Sequence, residues 1–464
     1  MWADNPQPDR AIIVYIFIAA AALDKLDLQQ CTRLESADHS LDWTVNMTNS
    51  KVLFVFGLAA LLAMSVMSQT VTPAPVAYVY VQTSPGVVVY KTAANGALTL
   101  VKGSPFKVTG QMEDISGKYL VSVGTTYLHV YLINSDGGVG RQVSQVNTAS
   151  YGGSECGGTS GRGSVFDHTG KYLFVQLNTL NKCAAWQTYR LESDGYLQFL
   201  GDTESYQLYY QEYEDEGNQV ISSTVPTVSS NDKFEYGVFN LSQVASDLCA
   251  YDDQCPNFSA FVSSGGTMEK NHNFVEKDPE TDTGYHFIPW SWNSPRADNN
   301  GHLAALMSEA DDVGSYVSSR LRVASFTINP TTGAISSTNT HLNMPFVDVG
   351  WRFSDEQYFD GAFATAMSPA GNIFAVGSKN GDIIGLQLFH FNGAAPATQF
   401  GEPFYFWAID QLMWDSHNHL YALQYEMHRL QVFTVTTTSI KETGTEYNLP
   451  VSPYGTKGLI VVSK

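Results

Sequence analysis

The sequence predicts an all-β fold, a seven-bladed β-propeller with four antiparallel strands per blade. Three observations predict it. A strand-turn-Gly-strand element recurs seven times, a polar turn followed by a strand precedes most copies, and the chain ends on a lone strand with no unit of its own. Self-similarity at a blade-sized period is the signature of a repeat architecture.

The first element is an apolar run, a turn, then Gly and an apolar residue. It reads VVYKTAANGAL (88–98), VYLINSDGGVG (130–140), TYRLESDGYL (188–197) and AFVSSGGTM (260–268). It continues as SFTINPTTGAI (325–335), LFHFNGAAP (388–396) and VFTVTTTSI (432–440), with the Gly fading towards the end. The second element reads DISGKYLVSV (114–123), DHTGKYLFVQL (167–177), SNDKFEYGVF (230–239), DNNGHLAALM (298–307), SPAGNIFAVG (368–377) and DSHNHLYALQ (415–424). Asp, Ser, Asn and Gly supply the positive φ and side-chain caps that tight turns require. The alternation that follows predicts strands with one face turned inward. Each unit thus reads as four antiparallel strands, the composition of a blade. The first unit begins directly with AYVYVQT (77–83), and KGLIVVSK (457–464) has no partner unit. The last strand is therefore expected to complete the first blade, which removes the open edge that would invite aggregation. The rival architectures are an open array of hairpins and two stacked sandwiches.

Composition agrees. Hydrophobic residues make up 44% of the 464-residue chain and aromatics 12%, enough for a large core. Charged residues are 15%, against roughly 25% for an average domain. The formal net charge is −20 and no basic cluster occurs. Nucleic acid is excluded as a partner, because phosphate binding needs clustered Lys and Arg.

The N-terminus divides into segments. Lys51 opens KVLFVFGLAALLAMSVM (51–67), preceded by a polar start at Met47 and followed by Ser68, Gln69 and Thr70. This is the plan of a secretory signal peptide over 47–70. The apolar run is short for a span of about 20 residues, and a membrane anchor is the rival reading. Residues 1–46 carry a second apolar run and seven acidic against three basic side chains. They read as a gene-start artefact ahead of a natural initiator at Met47, or as an extra leader. Residues 71–76 form a linker, and 77–464 the propeller. The protein is expected to be exported, periplasmic or extracellular, and monomeric, touching a membrane only through an uncleaved N-terminal segment.

The repeats resemble the lactonase-type seven-bladed propellers, the group of the bacterial propeller 6-phosphogluconolactonases and the YVTN-repeat proteins. The residues that carry the resemblance are AYVYVQTSPGVVVYKTAANGALTLVKGSPF (77–106), SGKYLVSV (116–123), DHTGKYLFVQL (167–177) and MSPAGNIFAVG (367–377). It spans about residues 75–464 and implies a hydrolase acting on a sugar or other lactone. The Pro-His pair common in that family has no counterpart. The matching stretch reads GTSGRGSVFDHTG (158–170), with His168 inside the polar turn.

In a blade, the loop entering the innermost strand and the loop between strands two and three lie on one face. The long insertions fall in those loops, at 150–163, 207–223, 277–297, 346–361 and 400–410. Long loops on a rigid scaffold are where function concentrates. They carry the candidate catalytic residues Glu155, Arg162, His286, Arg296, Arg352, Asp355 and Asp410, and the candidate ligand-binding residues Trp290, Trp292, Trp351 and Trp407. Aromatic faces cover sugar rings while Arg and carboxylates bond hydroxyls. Lactone opening needs an activated water and a cation for the developing oxyanion. Packing of the loop aromatics and a surface pairing of Arg352 with Asp355 are the structural alternatives.

No metal or cofactor is expected. Glu212, Glu214, Asp215 and Glu216 lack the spacing of a Ca²⁺ loop and read as a solvated tip. HNH (417–419) places two rings on one strand face with no third ligand nearby. Four cysteines follow the leader, and an even number in an exported chain suggests two disulfides. The blade assignment puts Cys156 in an entering loop and Cys183 in the strand two–three loop of the same blade, with Cys249 and Cys255 in one such loop. The expected pairs are Cys156–Cys183 and Cys249–Cys255. The larger closure would contribute roughly 3–4 kcal/mol. Two functions remain open: a lactonase-like hydrolase of a small-molecule lactone or carbohydrate, and a non-catalytic propeller binding a glycan, peptide or protein.

Overall fold

The polar turn explains the hairpin that opens most blades. Asp167 Oδ1 accepts from the backbone N–H of Lys171 and Tyr172 at 2.8 and 2.9 Å. Asp298 Oδ1 accepts from Asn300 and His302, and Asp415 Oδ1 from His417 and His419, at 2.8–2.9 Å. Ser229 and Ser368 do the same with a hydroxyl, receiving Phe234 N–H and Ile373 N–H at 3.0 Å. Each side chain mimics a backbone turn and reverses the innermost strand into the second one.

In this computed structural model the described residues are 73–464, apart from 125, 149–159, 179–184, 205–218, 224–225, 243–253, 265–266, 272, 274, 278, 280–285, 290–294, 311–320, 351–362, 380–382, 406–407, 444–446, 450–452 and 454–457. The expectations for residues 1–72 and for the acidic stretch 212–216 lie outside them.

Seven sheets follow the chain as seven blades. Blade 2 shows the plan: Gln111–Ser116 innermost, then Tyr119–Val123, Tyr127–Ile133 and Val139–Asn147, all antiparallel. Blade 3 runs Ser160–Phe166, Tyr172–Asn178, Ala185–Leu191 and Leu197–Glu204. The second strands of blades 4 to 7 are Phe234–Ser242, His302–Ala310, Ile373–Ser378 and His419–Gln424. Blade 5 departs from the plan, because Glu276–Lys277 adds a parallel strand outside Ile335–Ser336. Blade 1 is built from Ala77–Thr83, Gly86–Thr92 and Leu98–Leu100, and its innermost strand is Leu459–Ser463 from the far end of the chain. Ala77 pairs with Ser463 and Val81 with Leu459, so the ring closes as expected.

The core lies between the blades. Apolar clusters fill all seven seams. Tyr78, Tyr80, Met112 and Leu120 join blades 1 and 2, and Val79, Val81, Tyr421 and Leu430 join blades 7 and 1. The strands therefore differ from the expected one-sided alternation. Ala77–Thr83 is buried at every position, because a blade is packed by a neighbour on each face.

A second contact locks the ring. The turn between the third and fourth strands receives an aromatic side chain from the preceding blade. Tyr80 donates its hydroxyl to Gly137 O, Tyr119 to Ser193 O and Tyr236 to Gly333 O, at 2.7–3.0 Å. The glycines of these turns have positive φ, 88° at Gly195 and 71° at Gly333. A Cβ there would meet the neighbour's ring, at 2.7 Å from Tyr119 and 2.5 Å from Phe234. The two sequence repeats are thus the two halves of one contact between blades.

Candidate functional site

Strand direction fixes which side chains meet at the channel mouth. Innermost strands begin, and second strands end, on the face opposite the polar turns. On that face Lys379 follows the second strand of blade 6, Ile373–Ser378, and Asp410 precedes the innermost strand of blade 7, Gln411–Trp414. Lys379 Nζ lies 3.0 Å from Asp410 Oδ1. Asp410 Oδ2 accepts the Tyr425 backbone N–H at 2.6 Å. The carboxylate is 3% exposed and the lysine side chain 40%, so a buried anion holds a cation that faces solvent.

The network continues around the ring. The Lys379 ammonium lies 5.8 Å from the centre of the Tyr425 ring. Gln411 Nε2 donates to the Tyr425 hydroxyl at 2.7 Å, and Gln411 Oε1 accepts Leu459 N–H at 2.8 Å. Gln82 N–H donates to Gly458 O at 2.8 Å, and Gln82 Oε1 accepts Met112 N–H at 2.9 Å. Burial raises the Tyr425 phenol well above its usual range, and the Asp410 charge adds to that rise. Tyr425 stays a neutral hydroxyl. On the same face, between blades 1 and 2, a cleft of about 300 Å³ is lined by Gln82, Ser84, Pro85, Gly86, Lys107, Val108 and Thr109.

The other candidates distribute as follows. Arg296 stands in the short innermost strand Arg296–Ala297 of blade 5, two residues before the polar turn at Asp298. It therefore lies towards the end of the channel away from the mouth. Its Nε donates to Thr365 O of blade 6 at 2.9 Å. The backbone of Arg162 belongs to Ser160–Phe166 and that of His286 to His286–Pro289. Glu155, Arg352, Asp355, Trp290, Trp292, Trp351 and Trp407 lie outside the described residues, as do Cys156, Cys183 and Cys249. Cys255 stands within the strand Gln254–Ser264, in register with Leu241, and not in the loop before it.

Two histidines, His168 and His419, serve structure. His168 sits in the polar turn, where its backbone N–H and Nδ1 both meet Asp232 Oδ1 of blade 4 at 2.9 and 2.7 Å. His417 belongs to a turn, so only His419 of that pair is on the strand, and its Nδ1 binds Asp415 Oδ2 at 2.7 Å. Among the described residues no three His, Cys, Asp or Glu side chains gather as metal ligands. Sequence reasoning missed Lys379, Gln411 and Tyr425. The signal available was the rule that second strands end on the face where the entering loops arrive.

Many solved structures share this fold. A presumed 6-phosphogluconolactonase from Bacteroides fragilis superposes with a TM-score of 0.53 at 10% identity, covering 85% of this chain and 100% of its own. A second, from Bacteroides uniformis, gives 0.52 at 11% identity over 83% and 99%. The fold is that of the lactonase-type seven-bladed propellers. A protein from Lactobacillus plantarum gives the same TM-score, 0.52, at 11% identity over 83% and 99%. No family model matches the sequence, and no curated protein does so. At these identities the likeness concerns the fold, and function has to be argued from the site.

Proposed function

We propose that this protein is an exported lactonase-like hydrolase, opening a sugar or other lactone at the loop-rich mouth of its channel. The observation that carries the reading is the Lys379–Asp410 pair, a solvent-facing ammonium held at 3.0 Å by a buried carboxylate. A fixed cation of this kind stabilises the oxyanion that forms when water adds to a lactone carbonyl. The base that takes the proton from water would come from the mouth loops, with Glu155, His286 and Asp355 the candidates. Water oxygen bonds to the carbonyl carbon, the ring C–O bond breaks, and the proton passes to the departing alkoxide. The product is an open hydroxy acid. The neighbours described as 6-phosphogluconolactonases support a lactone as the substrate class.

A lactone hydrolysis screen tests the reading. Lys379→Met is expected to lower kcat/KM by about 10²-fold, the scale of one oxyanion donor, in protein kept well below its unfolding temperature, which should itself fall because the buried Asp410 carboxylate loses its counter-ion. Arg162→Ala and Arg352→Ala test the two loop arginines in the same assay. Full activity in Lys379→Met would remove that residue from the mechanism. Absence of hydrolysis with every lactone would leave the second reading, a non-catalytic propeller that binds a glycan, peptide or protein. That reading is favoured by Asp410, whose two oxygens are already taken up by Lys379 and by the Tyr425 N–H. Export rests on residues 47–70, and the mature N-terminus is expected near residue 70; a mature chain retaining the segment would point to an anchor.

A further inference from the structure

We propose that the central channel contains a seat for a small oxyanion, a carboxylate or a phosphate, built on Arg296. The innermost strands line the channel with their free backbone edges, and Arg296 is the only basic residue among their described side chains. A guanidinium carries five N–H donors in a planar fork. Nε donates to Thr365 O at 2.9 Å and Nη1 to Pro295 O at 3.4 Å, which leaves three of the five without a protein acceptor among the described residues. Both acceptors are neutral carbonyls. No carboxylate pairs with Arg296 among the described residues, although the chain carries a net charge of −20.

Protein surrounds the side chain, while part of its surface stays accessible. Burial pulls the guanidinium down to about 10, so it is still a cation at neutral pH. A desolvated charge without a counter-charge is costly, and an oxyanion held bidentately by the free edge of the fork relieves that cost. Thr365 O fixes the guanidinium through Nε, which orients the fork before any ligand arrives. The alternative role is a plain clamp between blades 5 and 6. A clamp needs only the Nε bond and has no reason to respond to anions.

This seat lies towards the turn-lined end of the channel, so it stands or falls independently of hydrolysis at the mouth. The test is thermal unfolding of the full chain at constant ionic strength, titrated separately with sodium D-gluconate and inorganic phosphate. The unfolding temperature should rise with the logarithm of anion concentration in the wild type. The response should be lost in Arg296→Gln, with apparent affinity reduced about tenfold or more. It should persist in Arg141→Gln, a control at an exposed position of blade 2. A response to gluconate alone assigns a carboxylate seat, and to phosphate alone a phosphoryl seat. Equal responses in the wild type and Arg296→Gln, or none with either anion, overturn the proposal. Should Arg296→Gln fail to fold, anomalous diffraction from wild-type crystals soaked in selenate decides. A peak within hydrogen-bond distance of the Arg296 guanidinium is expected, and a map without one there refutes the seat.

Discussion

The hydroxyl of Tyr236 donates to the carbonyl of Gly333 at 2.8 Å, across the seam between blades 4 and 5. The same turn packs against Phe234, and Gly333 has a φ of 71°. Gly333→Ala would place a Cβ 2.5 Å from the Phe234 ring and 2.6 Å from Asn271 Nδ2, in a conformation that side chains disfavour. The expected loss is about 2–4 kcal/mol, the sum of backbone strain and overpacking. Tyr236→Phe removes only the hydroxyl and should cost about 1–2 kcal/mol. Urea unfolding of both variants checks the order; a larger loss in Tyr236→Phe would mean that the hydrogen bond, and not the close approach, holds the seam.

Removal of the last strand tests closure. Leu459 and Ile460 are 2% and 4% exposed and pack between blades 7, 1 and 2. Burial of each such side chain is worth about 1.5–3 kcal/mol. A chain ending at residue 458 also leaves the Ala77–Thr83 edge unpaired, a template for association. Such a chain is expected to lose its cooperative thermal transition or to associate through the open edge. A sharp transition in a monomer, seen by calorimetry and size-exclusion chromatography, would show that blade 1 holds with three strands.

The legible part of this fold was its local chemistry. Asp167, Asp298 and Asp415 cap turns through their own neighbours in sequence, so the motif alone reveals the hairpin. The unmatched strand at 459–463 revealed closure, because an extra strand needs an edge. Burial on both faces of Ala77–Thr83 was not legible, since it depends on two neighbouring blades and not on strand period. Lys379 was hidden for a similar reason. In SKNGD (378–382) it reads as a solvated loop tip, and only the seam between blades 6 and 7 brings Asp410 to it. Arg296 read as part of a long loop because the strand that holds it is two residues long, too short to leave a pattern.

Asp415 should give the protein an acid limit. Its carboxylate is 0% exposed and joins His419 Nδ1 at 2.7 Å and the Tyr421 hydroxyl at 2.8 Å. Burial alone would raise its pKa, but the His419 ring and backbone N–H, then the Tyr421 hydroxyl, outweigh it, and the group lies below its ordinary 3.8. A depressed folded value means stability that is complete above the unfolded value and lost as pH falls through the folded one. Asp415→Asn should therefore cost about 2–3 kcal/mol at neutral pH, and the gap from wild type should narrow below about pH 4. Stability curves that stay parallel into acid would show that another carboxylate sets the limit.

Glu235 predicts the opposite dependence. It is 0% exposed in the seam between blades 3 and 4, and neither carboxyl oxygen has a hydrogen-bond partner among the described residues. The neighbouring ring of Phe261 pairs across the strands with it, and the apolar cluster of this seam includes Trp186 and Phe174. Burial first, then the charges of Asp232 and Asp167, raise the carboxyl well above its ordinary 4.5. A raised folded value means stability that is complete below the unfolded value and lost as pH rises through the folded one. Each unit between the two values costs the wild type about 1.4 kcal/mol. Glu235→Gln cannot ionise, so it should match the wild type below about pH 4.5 and become the more stable protein as pH rises. Urea unfolding at about pH 5 and about pH 8 measures the difference, and its growth with pH is the signature of an unpaired buried acid. A glutamine variant that is less stable at the higher pH would mean that the ionised carboxylate is held by a partner.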